Sequence, residues 1–319
     1  PQDGRIVIDR GDRRLDLRVS FVPLHGGESV TVRLLKIEHV QFKLDEFGFS
    51  PSDLERAKRW ATSPWGLILA VGPAGSGKTS TMYAMLNEND ARRLKIMTIE
   101  DPVEYRLPWV AHSQVNAETG YTYVHAMRAF LRSDPDVMMV DEVRDLQTLH
   151  ICSQAALTGH LVLSTLHTND GPSTLQRLLD MQLDPFLISG CVRGVLAQRL
   201  VRKLCDHCAV KADPPANEME KALREARTGG IGWDGLQKQF RKAVGCPECG
   251  HTGYRGRTII AELLEMSDEI GAALRRGAST DEVRSIAIGQ GMTTMAADGV
   301  RKAAAGITSV DEILRVAPR

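Results

Sequence analysis

Eight consecutive residues, Gly72-Pro73-Ala74-Gly75-Ser76-Gly77-Lys78-Thr79, follow an apolar run from Leu67 to Val71 and precede a helix-compatible stretch from Ser80 to Asn87. Phosphate oxygens need several backbone N–H groups aimed at one point. A glycine-rich loop folds tightly enough to supply them, and the N-terminus of the following helix adds its dipole. In this pattern Gly72 to Ser80 form the cradle, Lys78 reaches the β- and γ-phosphates of ATP, and the Thr79 hydroxyl ligates Mg²⁺. Such a loop needs an acidic element at the end of a neighbouring strand to manage metal and attacking water. Val137-Met138-Met139-Val140-Asp141-Glu142 has that form, with Glu142 positioning or deprotonating water and Asp141 near the Mg²⁺ shell. Between the two lies Ile99-Glu100-Asp101-Pro102-Val103-Glu104, whose carboxylates stand just past an apolar strand; Glu104 or Glu100 is placed to help hold metal or water. Each segment alone also reads as an ordinary surface turn or strand end. Their co-occurrence favours the chemical reading.

A second constellation is made of cysteines. Four of the six form Cys-x-x-Cys pairs, Cys205/Cys208 and Cys246/Cys249, with 37 residues between the pairs. Four thiolates in two such pairs satisfy tetrahedral Zn²⁺ and leave no open position for a substrate water, so the site is expected to be structural. A redox pair or free core thiols are the competing readings. Cys152 and Cys191 lie in apolar-rich helical contexts and read as packing residues.

The elements that must position these groups follow from periodicity. In residues 1–38, Leu15, Leu17, Val19 and Phe21 alternate with Asp16, Arg18 and Ser20, Gly26-Gly27 makes a turn, and Val30, Val32 and Leu34 resume the alternation. This is a small antiparallel sheet with one half-buried face. Residues 39–49 are a connector, and Ser50-Pro51 opens a helix. The short apolar runs Leu67 to Val71, Ile96 to Ile99, Val137 to Val140 and Leu161 to Ser164 fit parallel strands covered by helices on both faces. Residues 50–204 therefore read as a P-loop α/β core, 205–250 as a four-cysteine subdomain with a helix around Glu218 to Ala226, and 251–319 as a helical subdomain. In the last of these, Ser279/Glu282 and Ser309/Glu312 have capping-box spacing and Gly277 and Gly306 mark helix stops.

Composition narrows the function classes. In 319 residues, 40 Lys plus Arg balance 40 Asp plus Glu, and no apolar run approaches the roughly 20 residues of a membrane span. A neutral chain argues against bulk-charge attraction to nucleic acid or anionic lipid. The chain opens at Pro1 without an initiator Met and is read as a fragment whose missing part carries its own targeting information.

The phosphate loop, the segment Thr98 to Glu104, the strand ending in Glu142-Val143-Arg144-Asp145, and Thr158-Gly159-His160 through His167-Thr168-Asn169 together resemble the secretion ATPase superfamily. Within it the chain resembles type II secretion ATPases, with type IV pilus assembly motors as near kin. The resemblance covers essentially the whole chain. It implies a RecA-like P-loop core, ATP hydrolysis with Mg²⁺, a zinc-binding insertion and a ring, expected to be a hexamer. It also implies a cytoplasmic protein peripheral to the inner membrane, loaded by a membrane platform and cytoplasmic linker proteins, with no nucleic-acid partner and membrane contact only through those partners. Residue by residue, Glu104 matches the catalytic Glu of the family's Asp box, which also contains Glu100 and Asp101. His160 and His167 match its His box, with His160 in nucleotide binding and His167 approaching the nucleotide or the subunit boundary. Arginines before the motor, here Arg18 and Arg33, and before the acidic strand, here Arg128 and Arg132 on one predicted helix face, are expected to face phosphates. One departure stands out: the family's usual Gly before the acidic Glu is Asp141 here.

Three rivals remain at the level of sequence, one of them a DNA translocase, which the zero net charge disfavours. A pilus extension motor shares the chemistry, although Gly194 to Val201 and Asp298 to Arg301 lean towards secretion. A nucleotide-gated adaptor would bind ATP with little turnover, against which the retention of Lys78, Glu104 and Glu142 counts.

Overall fold

The computed structural model describes residues 2–10, 13–36 and 42–317. Its elements are β1 (Gln2–Arg10), β2 (Arg13–Leu24), β3 (Gly27–Lys36), α1 (Pro51–Ala61), β4 (Gly66–Val71), α2 (Lys78–Asn87), β5 (Ile96–Glu100), β6 (Ala111–Gln114), α3 (Tyr123–Phe130), β7 (Val137–Val140), α4 (Leu146–Leu157) and β8 (Leu161–Leu166). They continue as α5 (Gly171–Asp180), α6 (Pro185–Cys191), β9 (Val192–Leu204), β10 (Val210–Lys211), α7 (Ala216–Thr228), β11 (Arg241–Lys242), β12 (Tyr254–Glu265), α8 (Asp268–Arg275), α9 (Thr280–Gly289), α10 (Met295–Ala304) and α11 (Val310–Val316). The fold is α/β, as read from the strand, loop and helix alternation.

A seven-stranded sheet runs in the order β12-β9-β4-β8-β7-β5-β6, parallel throughout except for β12, which pairs antiparallel with β9. Its central strands are apolar along their whole length because both faces are covered. In β4, Leu67, Leu69 and Val71 enter one apolar cluster with Met127, Leu149 and Leu175 from α3, α4 and α5. Ile68 and Ala70 enter the opposite cluster with Trp60 from α1 and Met82 and Met85 from α2. Each such fully buried aliphatic side chain contributes about 2 kcal/mol. The sheet is thus the rigid slab on whose strand ends the polar groups stand.

Capping follows the sequence signals. Ser50 accepts the Asp53 N–H at 3.1 Å ahead of Pro51, and Ser279 and Ser309 accept the N–H groups of Glu282 and Glu312. The strand β12 lies within residues 251–319, so the central sheet draws its edge from the segment read as purely helical.

The N-terminal strands form their own antiparallel sheet, β1-β2-β3, with Leu24 paired to Gly27 across the turn and Gly26 at φ +98°. The alternation predicts a half-buried apolar face. Val19 is buried, but Phe21, Val30 and Val32 on the same face remain exposed, because a single layer cannot bury its own face. Arg18 pairs in backbone register with Arg33, whose side chain is exposed; the Arg18 side chain lies outside the described residues.

Candidate nucleotide site and cysteine cluster

The phosphate loop leaves β4 at Val71 and enters α2 at Lys78, where helical bonding begins with Thr81 N–H to the Gly77 carbonyl. The N-cap Gly77 is left-handed (φ +90°) and supplies no side-chain cap, so the first-turn N–H groups stay available for an anion. Gly72 is needed on steric grounds: at φ +150°, an added Cβ would lie 2.4 Å from the Gln198 carbonyl oxygen. Gln198 on β9 props the loop from beneath, its amide nitrogen donating to the Ser76 carbonyl at 2.8 Å and its amide oxygen accepting from Thr81 at 2.8 Å. The Ser76 hydroxyl is buried without a hydrogen-bond partner among the described residues, and Thr79 and Ser80 are half-buried on the first turn. A loop of open N–H donors and an orphaned hydroxyl fits the oxygens of a triphosphate.

Lys78 is buried and folds back over the loop, donating to the carbonyls of Gly72 (2.9 Å) and Pro73 (3.2 Å). Burial pulls its pKa below the ordinary lysine value, against the opposing pull of Glu142 and Asp141. His167, just past the end of β8, bridges the site: its Nδ1 is 3.4 Å from the Lys78 ammonium and its Nε2 3.2 Å from Glu142 Oε1. Glu142, two residues past β7, receives Arg144 Nε at 2.9 Å on its other oxygen. These three groups converge because β4, β8 and β7 are adjacent parallel strands whose C-terminal ends line up, Val71 opposite Leu166 and Val140 opposite Ser164.

Asp141 stands beside them with its pKa raised to about 6, pushed up chiefly by burial and further by Glu100, Glu104 and Glu142, while the Asp101 N–H pulls it down. Exposed Asp101 and exposed Glu104 flank the same end of the sheet past β5. The buried Tyr123 hydroxyl, at the start of α3, has no hydrogen-bond partner among the described residues. Burial and the nearby Asp141 and Asp101 carboxylates raise its pKa.

Three sequence expectations change. His160 sits at the opposite, N-terminal end of β8, its Nδ1 3.0 Å from the Ala155 carbonyl. A six-residue strand separates it from His167 by about 20 Å, so it does not join the phosphate loop. Glu100 is buried and its oxygens are engaged by Tyr83, Thr98 and His112 rather than by any group of the phosphate loop. Arg132 is not on the helix of Arg128, because α3 stops at Phe130 ahead of Asp134-Pro135, where the proline disfavours further helix. Arg33, Arg128 and Arg132 are exposed, and no hydrogen bond or ion pair joins them to the phosphate loop among the described residues. Sequence reasoning missed Arg144 and Gln198. Arg144 lies two residues after Glu142 in the chain, whereas the role of Gln198 needs the β4–β9 pairing, which no local signal announces.

The cysteine pairs meet because β9 and β12 are antiparallel neighbours. Leu204 pairs with Tyr254, and the next residue, Cys205, donates its N–H to the Gly253 carbonyl at 3.0 Å. The four Sγ atoms all lie within 4.8 Å of one another, with close separations of 3.9, 3.9 and 3.7 Å. Thiolates around a tetrahedral ion at about 2.3 Å have edges of about 3.8 Å, so the set fits Zn²⁺ in donor chemistry and spacing. N–H groups of Cys246 and Gly253 point at Cys249 Sγ at 3.2 Å and that of Gly245 at Cys208 Sγ at 3.3 Å, as thiolates require. Cys152 and Cys191 are buried packing residues whose thiols burial pushes up to about 12 and about 11. Among the described residues no helix is long and apolar enough to cross a membrane.

Known proteins resemble this chain in sequence and fold. The chain is 46% identical over 316 residues to the type II secretion system protein HxcR of Pseudomonas aeruginosa, covering 99% of this chain and 62% of that protein. It is 45% identical over 317 residues to type II secretion system protein E of Klebsiella pneumoniae (99% and 61%). With the type IV pilus assembly ATPase PilB of Thermus thermophilus it shares 44% over 315 residues (98% and 35%). The chain thus spans about three-fifths or less of the length of these relatives. The fold matches the crystal structure of the pilus retraction motor PilT with bound ADP at a TM-score of 0.69, with 24% identity and coverage of 98% of this chain and 76% of that one. The family model described as type II/IV secretion system protein matches residues 1–315, and the chain belongs to that family.

Proposed function

We propose that this chain is the ATP-hydrolysing motor segment of a type II secretion system that drives pseudopilus assembly and protein export. It works in a hexameric ring on the cytoplasmic side of the inner membrane, against a membrane platform and cytoplasmic linker proteins. The observation that carries the reading is the Lys78–His167–Glu142 chain at the mouth of the phosphate loop. It couples a phosphate-binding cation to a water-activating carboxylate through one imidazole.

The loop N–H groups cradle the phosphates, and Lys78 turns its ammonium from the Gly72 and Pro73 carbonyls towards them. The Thr79 hydroxyl, with Asp141 nearby, would hold Mg²⁺, which would supply neutralisation of phosphate charge. Glu142, oriented by Arg144 and His167, aligns the attacking water and takes its proton, and Glu104 shares that task from the facing loop. Arg33, Arg128 and Arg132, which make no hydrogen bond or ion pair to the loop among the described residues, act with Arg18 across the subunit boundary. Cys205, Cys208, Cys246 and Cys249 hold Zn²⁺ as a structural clamp on the β9–β12 pair.

Names of relatives support the choice of machine, two being type II secretion proteins. The PilB relative favours a second reading, a pilus extension motor. In the full-length protein, Lys78→Ala and Glu142→Gln should each lower phosphate release by about 100-fold or more; parental turnover in Glu142→Gln refutes the site. Loss of enzyme export with intact pili in a deletion strain separates the two machines.

A further inference from the structure

The surroundings of Glu100 are more elaborate than packing alone requires. It closes β5 with 1% of its surface exposed, and three side chains meet its carboxylate. The Tyr83 hydroxyl lies 2.5 Å from Oε2, the Thr98 hydroxyl donates to Oε1 at 2.6 Å, and His112 Nδ1 lies 2.9 Å from Oε1. His112 Nε2 accepts the Leu107 N–H at 3.0 Å. With Nε2 accepting, Nδ1 is the donor nitrogen, shared between Glu100 Oε1 and the Thr98 hydroxyl oxygen at 2.8 Å. Tyr83 has a second set of contacts: its hydroxyl reaches the Tyr105 carbonyl at 2.9 Å and its oxygen accepts the Tyr105 N–H at 3.3 Å.

These bonds stitch one stretch of chain in place at three points. Glu100 fixes its start, Tyr83 grips the backbone of Tyr105, and His112 holds Leu107. Glu104 is the residue immediately before Tyr105. Tyr83 lies on α2, the helix that begins at Lys78, so the grip ties the Glu104 loop to the helix that receives the phosphates.

We propose that Tyr83, backed by Glu100 and His112, is the positioning residue that sets Glu104 against the phosphate-loop helix. It makes Glu104's reach to the reacting water depend on where α2 stands. This rests on the reading of Glu104 as a catalytic carboxylate. Misplacing a catalytic group by about 1 Å costs on the order of 100-fold in rate, whereas the phosphate cradle, made by the loop and Lys78, is untouched.

The test is Tyr83→Phe in the full-length protein. It keeps the ring packed near Phe42 (5.8 Å) and Tyr105 (5.6 Å) and removes only the hydroxyl. Steady-state ATP hydrolysis should show kcat lowered about 10- to 100-fold with the KM for ATP within about twofold of the parent. In a Glu104→Gln background, single-turnover rates should be the same with Tyr83 or Phe at this position, because the group being positioned is already disabled. Thr98→Val removes another donor to the same carboxylate without touching α2, should give a smaller kcat-only loss, and carries the test if Tyr83→Phe does not fold. Parental kcat in both variants, a rise in KM that accounts for the whole effect, or an undiminished effect of Tyr83→Phe in the Glu104→Gln background overturns the proposal. If Glu104→Gln itself turns over normally, the reading of Glu104 fails. If it is inactive while Tyr83→Phe is parental, the positioning role alone fails.

Discussion

Acid should weaken the attachment of the C-terminal helix to the core, and one side chain sets the size of the effect. Glu312, in the first turn of α11, is fully buried. Its carboxylate takes the Arg202 backbone N–H at 3.0 Å, the Arg202 guanidinium at 2.7 Å, and the Arg315 guanidinium at 2.7 and 2.9 Å. Burial pushes its pKa up, but the two guanidiniums and the backbone donor outweigh it and hold the group at about 2, against an ordinary 4.5. The folded state binds this proton more weakly than the unfolded chain does. The contribution is therefore whole above about pH 4.5 and is lost as the pH falls towards 2.

A gap of about two and a half units corresponds to about 3 kcal/mol, and the half-exposed guanidiniums bring the expected value nearer 2 kcal/mol. Glu312→Gln should therefore lower unfolding free energy by about 2 kcal/mol at pH 7, read by urea denaturation followed by circular dichroism. At pH 3.5 the difference between parent and variant should have shrunk by about 1 kcal/mol, because other carboxylates titrate equally in both proteins and cancel. A difference that stays constant from pH 7 to 3.5 would refute the coupling of this carboxylate to the fold.

Two further outcomes are expected. Cys246→Ser, or exposure to a strong zinc chelator, should release about one zinc per chain by elemental analysis and loosen the β9–β12 end of the sheet in hydrogen exchange; unchanged metal content sinks the zinc assignment. His167→Ala should lower ATP turnover on the order of 10-fold or more, whereas His160→Ala, at the far end of β8, should keep it within about twofold on phosphate release; the reverse order would contradict the strand geometry.

What the sequence revealed is what local chemistry determines. Leu67 to Val71 followed by the glycine loop is legible because an apolar strand buried on both faces, a run of left-handed glycines and a helix start are all contiguous in the chain. The cysteine pairs are legible one by one, because each Cys-x-x-Cys is local, while the β9–β12 pairing brings the two together. Arg132 was misplaced by a few residues, since nothing before Asp134-Pro135 announces that α3 ends early. His160 and His167 show a deeper limit. One motif contains both, and only the direction of β8 relative to the phosphate loop sends one to the site and the other to the far edge.

Glu100 carries this argument furthest. In the sequence it is one of three carboxylates past a strand, indistinguishable in type from Glu104 four residues on. Its fate is decided by Tyr83, 17 residues earlier, and His112, 12 residues later. They become its neighbours because α2 packs under the sheet and β6 pairs with β5. A buried carboxylate is tolerable only with donors on its oxygens, so supplying them makes Glu100 an anchor within the fold, whereas Glu104 stands exposed. The division of labour between two like residues therefore lies in the tertiary contacts.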